Sequence, residues 1–153
     1  MAYQKLQVER ALKVIPSDTI NIPNVAGPSA SGTTDGNTAN KLVDSTASFT
    51  SNLVGYIVYN TSDSTVATVT AFDDAGTLSL SADIMDSGES YTLYADDNNG
   101  CVLYSGAGGD IKVLTAGNDE VTFNGTVAGS FIPVQVKRVF ATPAPPAGII
   151  ALW

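Results

Sequence analysis

The residues best suited to chemistry in this chain fall into a few groups, and each group is incomplete. Asp96-Asp97-Asn98-Asn99-Gly100 superficially matches the start of a calcium loop, in which carboxylates and amides wrap a hard cation in oxygen. Its glycine comes one position early, and Ala107 stands where the bidentate glutamate belongs, so the stretch reads as a solvated turn. Cys101 is the single cysteine and lies inside the apolar run Cys101-Val102-Leu103-Tyr104. With no histidine in the chain to activate it, it reads as a small buried hydrophobe. Gly106-Ala107-Gly108-Gly109 lacks the spacing of a phosphate-cradling loop, and the next residues are strand-like, so it reads as a hairpin. Glu9, Glu89 and Glu120 are candidates for paired-carboxylate hydrolysis, weighed against surface carboxylates on turns and strand edges. The missing histidine excludes Ser/His/Asp and Cys/His nucleophiles and leaves zinc only one thiol and carboxylates. The expectation is a non-enzymatic protein with no cofactor and no metal.

These residues must be positioned by strands. Turn pairs such as Asp35-Gly36, Ala75-Gly76, Ser87-Gly88, Asn124-Gly125 and Ala128-Gly129 punctuate the chain. The residues between them are rich in Val, Ile, Thr, Tyr and Phe, which suit a pleated, half-buried surface. Residues 64–72 divide into a Val66, Thr68, Thr70, Phe72 face and a Thr65, Ala67, Val69, Ala71 face. In residues 134–140 the alternation changes phase near Lys137, which implies a bulge or a strand passing between two neighbours. Further strands are expected at 11–15, 19–22, 56–60, 77–80, 91–94, 101–105, 110–114, 120–123 and 148–153. Helix is confined to one turn within 47–53, and residues 3–11 read as a short helix or an irregular arm.

Of the 153 residues, 44% are hydrophobic and 14% charged, against roughly 25% charged in an average domain, so Ser, Thr, Asn and Gly must cover much of the surface. The net charge of −8 disfavours nucleic acid, because phosphate contacts need clustered bases and only Lys137 and Arg138 are adjacent. No run approaches the roughly 18 apolar residues of a membrane span, and the first ten residues lack the apolar core of a secretory signal. Residues 25–40 are mostly Gly, Ser, Thr, Ala and Asn and read as a linker. With the polar stretch 96–100 they bracket hydrophobic strands of their own. The simplest parse is an all-β protein: an antiparallel β-barrel or sandwich host domain, residues 1–31 plus 97–153, with a small β-subdomain, residues 33–95, inserted into it.

One ordered pattern is more specific. Pro16-Ser17-Asp18-Thr19 near the start is followed, after the insert, by Leu103-Tyr104-Ser105-Gly106-Ala107-Gly108-Gly109-Asp110-Ile111-Lys112-Val113. Then come Val121-Thr122-Phe123, Pro133-Val134-Gln135-Val136-Lys137-Arg138-Val139 and the terminal Ala151-Leu152-Trp153. Together these residues resemble the small head-spike base family of gene-transfer agents and related tailed phages. The segment beginning Asn40-Lys41-Leu42-Val43 resembles a small module found in marine phage structural proteins. The resemblance implies a β-barrel or sandwich that attaches to a capsid, commonly at a vertex, and carries a fiber or spike outward.

The expected function is therefore that of a virion structural protein, a spike-base or decoration subunit that oligomerises around a symmetry axis after assembly in the host cytoplasm. Its partners would be itself and other virion proteins of the capsid or fiber. Trp153, Leu152, Phe140, Arg138 and Lys137 are the candidate assembly contacts. An apolar terminus following Pro143, Pro145 and Pro146 must be buried, either closing the host barrel or meeting a neighbouring subunit. The alternative is a carbohydrate- or receptor-binding module of a fiber or baseplate. In that case Tyr56, Tyr59, Tyr91 and Tyr94 would display an aromatic surface to a host glycan, where the competing reading makes them subdomain core.

Overall fold

The structure, a computed structural model, describes residues 8–153. Within them lie twelve strands: β1 (Ala11–Lys13), β2 (Asn24–Thr33), β3 (Lys41–Val43), β4 (Ile57–Asn60), β5 (Thr65–Asp74), β6 (Thr77–Leu80), β7 (Ser90–Ala95), β8 (Cys101–Ser105), β9 (Gly109–Thr115), β10 (Glu120–Thr126), β11 (Ser130–Val139) and β12 (Ile149–Leu152). One 3-10 turn, Ser51–Leu53, falls inside the single helical turn expected at 47–53. Most of the reading of 3–11 as a helix or arm lies outside the described residues. The fold is all-β, with two six-stranded antiparallel sheets. No helix among the described residues is long and apolar enough to cross a membrane. The chain divides into two compact units, residues 1–26 with 98–153, and residues 27–97.

The first unit has strand order β1-β12-β8-β11-β9-β10. Its core collects one face of the four central strands: Cys101 and Leu103 from β8, Ile111 and Val113 from β9, Ile132, Val136 and Val139 from β11, and Ile149 and Ala151 from β12. Burying a Val, Leu or Ile side chain contributes about 1.5–3 kcal/mol, so this face drives the unit's folding. β12 lies between β1 and β8, with Leu12 opposite Ala151 and Ala151 opposite Leu103. The phase change near Lys137 has a structural counterpart. β11 pairs with β8 through its first half, shifts register between Ile132 and Val136 and again between Val136 and Arg138, and pairs with β9 through its second half.

Two expectations for this unit are corrected. Residues 106–108 do not form a hairpin, because β8 and β9 do not pair with each other; β11 stands between them, its extra residues letting one strand serve both neighbours. Residues 19–22 are not a strand. Ser17 turns the chain by accepting the Thr19 and Ile20 N–H groups on its hydroxyl, leaving only isolated bonds to β11, Ser17 N–H to Val139 at 3.0 Å and Ile22 N–H to Lys137 at 2.7 Å. Asn124-Gly125 lies inside β10, where Gly125 takes a φ of +62° at the shift in register against β9.

The second unit has strand order β2-β7-β4-β5-β6-β3. Ala67 and Val69 of β5 face its core with Leu42, Val58, Leu78, Tyr91 and Leu93. The linker expected at 25–40 is replaced by the ten-residue β2, which neighbours β7. Small residues that read as flexible are here the ones that permit close packing. A Cβ on Gly32 would lie 2.5 Å from Asp44 Oδ2 and 2.6 Å from the Tyr91 hydroxyl, so only glycine lets β2 lie over that pair. Beyond β2, the Asp35 N–H bonds to Val43 O of β3 at 3.0 Å, bringing the chain back to the far edge of the same sheet.

Deleting Leu152 and Trp153 removes the Trp153 N–H bond to Arg10, the Glu9 N–H bond to Trp153 and the Leu152 pairings with Ala11 and Val102. The truncated chain is expected to be insoluble, or to melt about 10 °C or more below the full chain by circular dichroism. An unchanged melting temperature would contradict this account of the terminus.

Candidate functional site

The candidate assembly residues separate once the side chains are followed. Phe140 is 7% exposed, with the Lys112 ammonium 4.3 Å and the Arg138 guanidinium 5.8 Å from its ring centre. Arg138 donates from Nε to Asn21 Oδ1 and from Nη1 to the Asp18 carbonyl, both at 3.0 Å. Asp18 in turn accepts the N–H groups of Ala141 and Thr142 on Oδ1 and the Thr142 hydroxyl on Oδ2. The Thr142 hydroxyl, with its N–H, holds the Asp18 carboxyl below its ordinary value. Phe140 is thus corrected from a contact residue to a buried one, and Arg138, half-buried, takes part in a clamp that fixes residues 17–21 and 140–142 to the sheet. A bidentate donor placed next to an acceptor-rich turn is satisfied within its own unit. Lys137 reaches Asn118 Oδ1 at 3.3 Å.

The two terminal residues also differ. Trp153 packs against the first unit's core and donates its indole N–H to Asn98 Oδ1 at 3.2 Å, so it belongs to the fold. Leu152 points to the opposite face, opposite Val102 and Ala11. On that outer face a cross-strand row runs Phe131, Tyr104, Ile150, Lys13 over β11, β8, β12 and β1. Phe131 is 53% exposed, and its ring meets Tyr104 edge-on at 5.5 Å between centres. A solvated face of an antiparallel sheet ordinarily alternates to polar residues, and on β8 and β12 this one does not. Phe131, Tyr104 and Ile150 were not singled out in the sequence. The signal was present: Cys101-Val102-Leu103-Tyr104 and Ile149-Ile150 are consecutive apolar residues, which put apolar side chains on both faces of a strand.

The four tyrosines of the second unit do not converge. Tyr91 is 3% exposed and faces the core, where Tyr56 packs against the same cluster. Tyr59, also 3% exposed, lies on the opposite face of β4 and meets Tyr94 of β7 edge-on at 5.7 Å. Display by Tyr59 and Tyr91 is therefore corrected to burial. β4 runs between β5 and β7, and all four of its residues are buried, so the two-residue period puts tyrosine on covered surfaces.

The chemically richest spot in this unit surrounds Asp44, itself only 3% exposed. Asp44 Oδ1 accepts the Thr46 N–H at 2.9 Å and the Thr46 hydroxyl at 2.7 Å, and Oδ2 accepts the Tyr91 hydroxyl at 2.8 Å. Burial alone would raise this carboxyl, but the hydroxyl and N–H donors outweigh it and hold it below its ordinary 3.8. Burial, and then the carboxylate it donates to, push the Tyr91 hydroxyl upward. Over this pair opens a cleft of about 640 Å³, lined by Gly32, Thr33, Thr46, Ser48, Phe49 and Leu53 among others. Its lining is hydroxyl, backbone and apolar, and its one carboxylate is occupied internally.

Asn98, which the sequence placed in a solvated turn, is 8% exposed and accepts the Gly100 N–H as well as the Trp153 indole. Its neighbour Cys101 is 1% exposed, and burial pushes its thiol up to about 12. No group of three or more Cys, Asp or Glu among the described residues is arranged to hold a metal ion.

Charge is divided unevenly between the units. The second has ten acidic residues and one base, Lys41, for a net charge of −9, whereas the first has five acidic and six basic residues, for +1. No protein-family model, curated protein or solved structure matches the chain.

Tyr91→Phe removes one donor from a buried carboxylate and is expected to destabilise the protein by about 1–3 kcal/mol in urea unfolding. The folded-state carboxyl of Asp44 is lowered, so its stabilisation is fully present above the unfolded value of about 3.8 and is lost as pH falls through the folded one. Tyr91→Phe should therefore flatten the loss of stability with falling pH below about 4; a slope unchanged from the wild type would count against the pairing. The Cys101 thiol is expected to resist a thiol reagent at pH 8 in the folded protein and to react fully in denaturant. Fast labelling of the native chain would contradict its burial.

Proposed function

We propose that this chain is a virion structural protein, a spike-base or decoration subunit that oligomerises around a symmetry axis and holds or displays an outer component. The observation that carries this reading is how the resembling residues meet within the first unit. Asp18 of Pro16-Ser17-Asp18-Thr19 contacts Arg138 of the Val136-Lys137-Arg138-Val139 stretch through its carbonyl and binds the turn beyond β11. Leu103 to Val113 runs through β8 and β9, and Ala151 and Leu152 lie in β12 beside β8 and β1. Motif residues far apart in sequence thus maintain one sheet, and that sheet leaves an apolar outer face. The work is association rather than catalysis. Its partners are other copies and proteins of the capsid or fiber, and its station is the virion, reached by assembly in the host cytoplasm.

A second reading rests on the cleft over Asp44. A binding module of a fiber or baseplate would take a host glycan or receptor there, through Thr33, Thr46, Ser48 and the β2 backbone.

Imaging of purified particles with antibody against residues 27–97 is expected to label their exterior, with the chain present in multiple copies. Its absence from particles, or turnover of a polysaccharide by the isolated protein, would overturn the structural reading. Glycan-array binding abolished by Thr46→Ala and Ser48→Ala together would favour the second one.

A further inference from the structure

We infer that the outer face of β12, β8 and β11 is a two-fold interface, covered by the same face of a second copy of this chain. This rests on the assembly reading above and names the surface and the kind of axis involved.

The cross-strand row on that face is Phe131, Tyr104, Ile150, Lys13, in that order across four adjacent strands. Reversing the row, as a two-fold axis between Tyr104 and Ile150 does, places Lys13 of each copy against Phe131 of the other. It also places Tyr104 against Ile150. The end that carries a cation therefore meets the end that carries the most exposed ring, at 53%. An ammonium over an aromatic face is attracted by the ring's quadrupole, and more so once water is excluded. The middle pair joins an aromatic to a branched aliphatic, a favourable apolar contact across packed sheets. Stacking the row in the same direction would instead set Lys13 against Lys13. Both stackings are two-fold, in which one patch meets itself, but the pattern is self-complementary only about the axis parallel to the strands, which reverses the row.

Charge also selects a second copy. A net charge of −8 opposes self-association in general, yet the excess lies in the second unit at −9, while the first stands at +1. The row itself carries no acidic residue. A strongly basic partner would be drawn to the acidic unit and not to this face. Contact through the first unit meets no local repulsion, and what remains between the acidic units is screened over about 8–10 Å at physiological salt.

Continuity of the apolar pattern adds a third argument. Leu152, half-buried, lies beside Ala11 and opposite Val102 on the same face; Val102 is 8% exposed and already covered within the chain, so Leu152 alone extends the surface. Strands covered on both faces read as near-continuous apolar runs, and Cys101-Val102-Leu103-Tyr104 and Ile149-Ile150-Ala151-Leu152 are such runs.

Sedimentation equilibrium on the full chain tests this, with Phe131→Ser and Lys13→Glu as variants and Phe72→Ser, an exposed apolar residue of the second unit, as control. The wild type is expected to be dimeric at micromolar concentration, and more so at 300 mM than at 20 mM salt as the acidic units are screened. Each of the two variants should weaken the dimer at least about tenfold, while Phe72→Ser leaves it unchanged. Phe131 and Lys13 are exposed, so matching circular dichroism and melting temperature will show that the variants fold. A wild type that stays monomeric at millimolar concentration overturns the inference. So does an oligomer indifferent to both variants, which leaves the assembly reading standing. A dimer sensitive to both variants supports the interface even if particle imaging fails to find the chain, and in that case only the virion reading falls.

Discussion

The first unit depends on one constraint: its apolar last strand has to be buried in the middle of a sheet. β12 takes backbone bonds from β1 on one side and β8 on the other, and its Ala151 is fully buried between Leu12 and Leu103. Without β12, β1 has no neighbour in the sheet and β8 keeps only β11. The residues that complete this unit therefore come from both ends of the chain, and residues 27–97 form a sheet and a core of their own.

A second, polar constraint acts on the same unit. The Asp18 carboxylate gathers two N–H groups and a hydroxyl from the turn after β11, while Arg138 reaches back to Asn21 and the Asp18 carbonyl. These bonds bridge more than a hundred residues of sequence and do the work that a strand at 19–22 would otherwise do. They engage the Nε and Nη1 donors of Arg138 within the unit. Lys112 behaves similarly, sitting over Phe140 and pairing with Glu120 at 2.9 Å. The basic residues of β9 and the end of β11 thus stabilise the unit's own surface, while Lys13 lies exposed on β1 opposite the half-buried Ile150.

Polarity separates the two units more sharply than fold does. One is close to neutral and presents aromatic and aliphatic side chains on an outer sheet face; the other is strongly acidic and buries Tyr59 and Tyr91. Repulsion among acidic units opposes the approach of copies, while the first unit adds almost no net charge of its own. Within the acidic unit the Asp44–Tyr91 pair is buried beneath a strand rich in Gly, Ser and Ala. That strand shows how composition can mislead: the residues that suggested a linker were small because β2 lies close against a hydroxyl and a carboxylate.

Much of the architecture arises from local pattern. β8 and β6 coincide with the strands expected from composition and alternation, and β4, β7, β9 and β12 differ from them by a residue or so at their ends. The phase change at Lys137 marked a real shift in register. These features are legible because strand period, turn residues and β-branched side chains act over a few neighbouring positions. Pairing across β11, the burial of Tyr59 and Tyr91, the capture of Arg138 by residues 18 and 21 and the closeness of Gly32 to Asp44 are not local. They depend on which segments meet after folding. The sequence by itself determined that the chain is built of strands and that its end is apolar. Which apolar side chains turn inward and which form the exposed row was decided only by tertiary structure, because a strand carries two faces and its partners choose between them.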